Sequence, residues 1–125
     1  MTWAVTTTGA WARGKELQLI DAVQASLLES LKIPDWDRDV IVTTFDGDRR
    51  IVPTGNSDRF TRIEIILFSG RTIEAKRALY ASIANGLSAL GVPRAEIKTI
   101  MIEMPPQNWG IKGGYPASEV DFLTQ

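Results

Sequence analysis

Arg71, Asp37 and the residues around Trp109 have the types and spacing that chemistry needs. The 125 residues contain no histidine and no cysteine. Chemistry here is therefore left to carboxylates, arginine, lysine, tyrosine or the chain's own α-amino group. Arg71 follows a strand-like run and opens a helical pattern. A guanidinium there binds a carboxylate with two parallel hydrogen bonds, and the free N–H groups of the helix start favour the same charge. Pairing with Glu74 is the structural alternative. Asp37 lies within Asp35-Trp36-Asp37-Arg38-Asp39, just after Pro34. A carboxylate beside an aromatic ring can be desolvated enough to act as a base or to orient a water; the alternative is a capping or solvated turn charge. Trp109 and Asn108 sit between Pro105-Pro106 and Gly110, where helix is disfavoured, so the tryptophan walls a pocket or anchors the tail on a neighbouring subunit. Glu103 is either a second acid or an edge-strand charge.

These residues must be positioned by a unit that occurs twice. A helical pattern running to Leu31 leads to Ile33-Pro34, Asp37 and the strand-like run Val40-Ile41-Val42-Thr43-Thr44-Phe45; another running to Leu90 leads to Val92-Pro93, Glu96 and Ile97-Lys98-Thr99-Ile100-Met101-Ile102. Such internal repetition decides the fold class before any propensity is counted. Strands are expected over residues 3–8, 39–45, 62–68 and 97–102. The first helix is expected over residues 13–31 with Leu17, Ile20, Val23, Leu27, Leu28 and Leu31 inward, and the second with Ile73, Leu79, Ile83, Leu87 and Leu90 inward. The polar segment 54–59 reads as a mobile loop. The expected fold is α/β: two tandem β-α-β units, about residues 2–46 and 61–104, forming a mainly parallel four-stranded sheet with two helices on one face and a tail over 105–125, in one domain. Strand residues Ile63, Ile65 and Leu67 alternate with Ile66 and Phe68, so both sheet faces are apolar. Two helices cover only one face, and a second subunit is expected on the other.

Composition narrows the partners. Fourteen Lys+Arg against 15 Asp+Glu make no basic field for nucleic acid, and no apolar stretch is long enough for a membrane span. The chain reads as soluble and cytoplasmic, with no nucleic-acid or membrane partner and no cofactor or metal.

The stretches Phe68-Ser69-Gly70-Arg71-Thr72-Ile73-Glu74-Ala75-Lys76 and Ile100-Met101-Ile102-Glu103-Met104-Pro105-Pro106-Gln107-Asn108-Trp109-Gly110 resemble the tautomerase superfamily. The single-chain members near malonate semialdehyde decarboxylase and cis-3-chloroacrylic acid dehalogenase are similar in length. The resemblance covers nearly the whole chain and implies a homotrimer of β-α-β units with active sites near subunit boundaries. It further implies that Arg71 binds a substrate carboxylate, that Asp37 activates water, and that Trp109, Ile111 and Asn108 line the pocket. A second arginine would fall near Phe68 or Ser69 and is missing. The N-terminal proline whose secondary amine serves as base or acid in that superfamily is also absent, because the chain begins Met1-Thr2-Trp3. A primary amine, on Thr2 if Met1 is removed or on Met1 if it stays, is what remains to move a proton. The expected function is therefore proton transfer, hydration or decarboxylation on a small 2-oxo, enol, unsaturated or β-keto acid, with Thr2, Asp37 and Arg71 as catalytic residues. A non-catalytic trimer keeping an anion-binding pocket is the alternative. A regulatory βαββαβ domain is a third reading, distinguished by antiparallel pairing where this chain should form parallel β-α-β halves.

Overall fold

Strand β1, Thr2–Gly9, alternates as far as Thr8: Thr2, Ala4, Thr6 and Thr8 are buried, whereas Trp3, Val5 and Thr7 turn to the other face. Its β-branched residues suit a pleated surface packed on at least one side. The computed structural model describes residues 1–121; the last four residues of the expected tail lie outside the described residues. The remaining main elements are helix α1 (Glu16–Leu31), strand β2 (Val40–Phe45), strand β3 (Thr61–Phe68), helix α2 (Ile73–Ala89) and strand β4 (Ile97–Met104). Two short strands, β5 (Gly110–Ile111) and β6 (Tyr115–Pro116), form a separate antiparallel hairpin.

Both helices carry the expected stripe, with two corrections. In α1 the buried residues are Leu19, Val23, Ser26, Leu27 and Leu31, and Leu17 is 70% exposed. The helix advances about 100° per residue, so Leu19 lies four residues before Val23 and shares its face, while Leu17 lies six before it and points away. Ile73, six residues before the buried Leu79, is 51% exposed for the same reason. The first helix also begins at Glu16 rather than Arg13, because residues 10–12 form a separate 3-10 turn. Thr72 starts α2 by accepting the Ala75 N–H at 3.1 Å, and Gly91 ends it at φ +103°, where only glycine is unstrained.

The sheet order is β2-β1-β3-β4, with β1∥β2 and β3∥β4 parallel and the central pair β1/β3 antiparallel. Within each β-α-β half the pairing is parallel, as expected, which excludes the βαββαβ regulatory domain. Thr2 pairs with Leu67, Ala4 with Val40 and Phe68 with Met104. The antiparallel centre thus brings the beginnings of β1 and β2 to the same edge as the ends of β3 and β4.

One sheet face packs on the helices through Ala4, Ile63, Ile65, Leu67, Leu19, Val23, Leu27, Leu79, Ile83 and Leu87. The opposite face has no covering layer among the described residues, and it presents Trp3, Ile41, Ile100, Ile102 and Met104, each partly exposed. No helix of the described residues is long and apolar enough to cross a membrane.

The expected mobile loop is instead fastened. Ser57 donates its N–H and its hydroxyl to Glu96, Asp58 accepts the Trp11 N–H at 2.9 Å, and Arg59 donates to the Gly91 carbonyl at 2.8 Å. Ser57, Asp58 and Arg59 meet partners supplied by distant elements, which local composition does not reveal.

Candidate active site

The shared edge gathers the residues singled out above. Asp37 follows the Pro34 turn, closed by its own N–H to the Pro34 carbonyl at 3.0 Å, and its backbone carbonyl accepts Gln24 Nε2 at 3.1 Å. The residue is 6% exposed. It accepts the Thr2 N–H on Oδ1 and the Thr2 hydroxyl on Oδ2, both at 3.3 Å. These bonds are long, at the outer reach of hydrogen bonding. The adjacent Trp36 is 45% exposed, so the tight enclosure at this turn belongs to Asp37 and Thr2 rather than to the ring.

The Met1 amine lies 3.8 Å from Asp37 Oδ2. Burial pulls its pKa below 8.0; the Asp37 carboxylate opposes that shift, and the Arg71 guanidinium adds to it. More of the amine is consequently neutral near pH 7 than in a free chain, which makes it a better base and a better nucleophile.

Arg71 follows Gly70, which holds φ +113°, and is half-buried. Among the described residues it pairs neither with Glu74 nor with another acid. Its Nη1 donates to the Leu31 carbonyl at 2.5 Å, so the cation sits at the C-terminal end of α1, where the helix dipole favours it. This anchors the guanidinium while leaving its other donors without a partner among the described residues.

Trp109 stands edge-on to Phe68, ring centroids 5.4 Å apart, and its Nε1 donates to the Met104 carbonyl at 3.4 Å. The Trp109 carbonyl accepts the Ala117 N–H at 2.8 Å, which ties the β5/β6 hairpin to the site. Trp109 and Asn108, with Trp3, Ile66 and Met104, line an open cavity of about 500 Å³ on the uncovered sheet face. Ile111 is not brought to this cavity; it pairs with Tyr115 in the hairpin. Where the resemblance places a second arginine, Phe68 supplies an aromatic ring for Trp109.

Trp3, Ile66 and Met104 join the cavity without a local sequence mark. Alternation along the strands assigns them to one face, yet only the cross-strand pairs Trp3↔Ile66 and Phe68↔Met104 bring them together. Glu103 is a charge on the edge strand β4 rather than a free second acid. Lys76 of α2 holds it in an ion pair, and chiefly that hydrogen bond keeps its carboxyl below the usual range. Among the described residues no three acidic groups converge as a metal site would require. A groove of about 520 Å³ between the helices is lined largely by alanine and serine, with no cation to hold a carboxylate.

Residues 37–112 match the family model described as tautomerase enzyme. A probable tautomerase of Ralstonia nicotianae is 40% identical over 52 residues, covering 41% of this chain and 74% of that protein. Among solved structures, FG41 malonate semialdehyde decarboxylase inhibited by 3-bromopropiolate superposes with a TM-score of 0.79 at 28% identity, covering 93% of this chain and 92% of the other. A fused 4-OT, solved as a symmetric trimer, shares the fold with a TM-score of 0.79 at 20% identity over 93% of this chain and 96% of the other.

Proposed function

The chain belongs to the tautomerase enzyme family, and from that premise we propose that it acts on a small carboxylate, a 2-oxo, enol, unsaturated or β-keto acid, without an N-terminal proline. The observation that carries this reading is the convergence of a depressed-pKa amine, a buried carboxylate and an anchored arginine at one sheet edge. Arg71 holds the substrate carboxylate with its remaining donors. The amine or Asp37 moves the proton: for an enol, the base takes the hydroxyl proton while carbon is protonated, giving the keto acid. With a water in place of the enol, Asp37 orients the attack on an unsaturated acid. Trp109 and Asn108 wall the site, and Trp109 keeps bulk water from the reacting carbon.

The similar decarboxylase and its inhibitor are both named for small carboxylates, which supports the substrate class. A homotrimer is part of the same reading. Its support is the uncovered apolar sheet face, next to which the Trp109 cavity opens, together with the trimeric fused 4-OT of the same fold.

Thr2→Pro tests the proposal. With Met1 removed, as confirmed by intact mass, and a trimer confirmed by light scattering, the variant places a secondary amine beside Asp37. Its ketonisation of phenylenolpyruvate should exceed the weak wild-type rate by about a hundredfold to ten-thousandfold, the usual contribution of a positioned base. A processed, folded and trimeric variant no faster than wild type would favour the non-catalytic, anion-binding alternative.

A further inference from the structure

We propose a second anion site, at the end of the sheet opposite the candidate active site, where Arg50, Arg62 and Lys98 bind a compact dianionic oxyanion: inorganic phosphate or the phosphate group of a phosphomonoester. The site is independent of the function proposed above. The repeat that puts Glu96 in the place of Asp37 also puts Arg62 and Lys98 in the places of Trp3 and Asp39. In the register of β3 and β4, Arg62 lies directly across from Lys98, and because Ile63 and Ile65 face the helices, both cations are on the face the helices leave open. Like charges directly opposite on neighbouring strands are destabilising, and here a third joins them. Arg50 reaches over from the linker between β2 and β3: its guanidinium carbon is 6.0 Å from the centre of the Phe60 ring, and Lys98 Nζ is 5.7 Å from the same centre. Phe60 is buried, so both cations are held against one fixed ring.

The acids nearby do not neutralise this group. Glu64 takes Arg62 Nε at 2.9 Å and leaves the two terminal nitrogens of that guanidinium. Asp58 accepts the Trp11 N–H, Glu96 accepts the Ser57 hydroxyl, and Asp46 pairs with Arg13 at 2.7 Å. Among the described residues neither Arg50 nor Lys98 has an ion-pair partner, and Arg50 donates to the Asp58 carbonyl at 3.0 Å. Burial lowers the Arg50 pKa; Asp58 and Glu96 oppose that shift, and Arg62 adds to it. A guanidinium withdrawn from water beside another cation gains from an anion that both can reach. Guanidinium forks match phosphate oxygens in pairs and an ammonium adds a point charge, so one dianion relieves all three cations, whereas a monocarboxylate fills a single fork.

Calorimetry of the full chain with inorganic phosphate at low salt tests the site, with urea denaturation in phosphate against chloride of equal ionic strength as a second readout. Phosphate should bind the wild type and raise its denaturation midpoint above that in chloride. Lys98→Met and Arg50→Met should each weaken phosphate at least about tenfold and remove most of that rise. Either order of affinity between inorganic phosphate and glycerol 3-phosphate supports the site and tells free phosphate from an esterified ligand. Affinity kept in both variants but lost in Arg71→Ala would move the anion to the candidate active site and overturn the proposal. Variants that dissociate in light scattering while binding phosphate normally would overturn it too, by assigning the cations to subunit contact. A wild-type chain that takes up no phosphate refutes it outright.

Discussion

Asp37 and Glu96 hold equivalent places in the two β-α-β units, each following the proline turn that leaves a helix; their N–H groups bond the Pro34 and Pro93 carbonyls at 3.0 and 2.9 Å. Each carboxylate is buried and accepts both an N–H and a hydroxyl from one residue, Thr2 for Asp37 and Ser57 for Glu96. Each end also has an arginine on a carbonyl where a helix finishes, Arg71 on Leu31 at the end of α1 and Arg59 on Gly91 just past α2. The difference is what comes next. Ser57 lies in mid-chain, and Asp58 continues onto Gly9 and Trp11 so closely that a Cβ on Gly9 would sit 2.1 Å from it. Thr2 instead adjoins an amine. The same carboxylate device thus fastens a linker at one end and adjoins an amine at the other.

The largest expected effect separates the two acids. Asp37→Ala should lower turnover of a small keto or enol acid by about a hundredfold to ten-thousandfold, as loss of a catalytic acid-base group does, whereas Glu96→Ala should leave kcat/KM unchanged. Glu96→Ala should instead cost about 1–3 kcal/mol in urea denaturation, because the linker at Ser57 loses both hydrogen bonds to that carboxylate. Equal losses of turnover would erase the distinction between the ends.

A smaller contrast concerns the arginines. Arg71→Ala should weaken binding of pyruvate-like or acrylate-like acids at least about tenfold by calorimetry, and Arg59→Ala should not change it. The reverse pattern would move the anion site to the linker end.

The smallest effect is electrostatic. The folded amine titrates below its ordinary value of 8.0. Between the two values the unfolded chain binds more protons, so stability should rise with pH across that window and level off above 8.0. Asp37 and Arg71 are the charges facing the amine, and Arg71→Ala should narrow the window by letting its pKa recover. Denaturation midpoints taken through that range, with and without acetylation of the amine, measure the slope; an unchanged slope after acetylation would assign it to another group.

Much of this was legible locally. The repeat of helix, proline turn, acid and strand announced two β-α-β units, and alternation at Ile63, Ile65 and Leu67 against Ile66 and Phe68 announced a sheet apolar on both faces. The lack of histidine and cysteine left carboxylates, arginine, lysine, tyrosine or the α-amino group for chemistry, and Arg71 after a strand marked a position suited to an anion. Periodicity reports which residues share a face of their own element, and hydrophobic burial makes that pattern dependable where the spacing keeps to one stripe, as it does for Val23, Leu27 and Leu31 but not for Leu17 or Ile73. What tertiary structure decided was everything set by partners remote in the chain. Only the antiparallel β1/β3 pairing brings Thr2 to the end of β3 and gathers Asp37, Arg71 and Trp109 at one edge. Arg71 meets the Leu31 carbonyl rather than Glu74, and residues 57–59 are held by Glu96, Trp11 and Gly91. Hydrogen-bonding groups carry no local mark of which distant group will satisfy them, so their partners are settled only when the sheet closes.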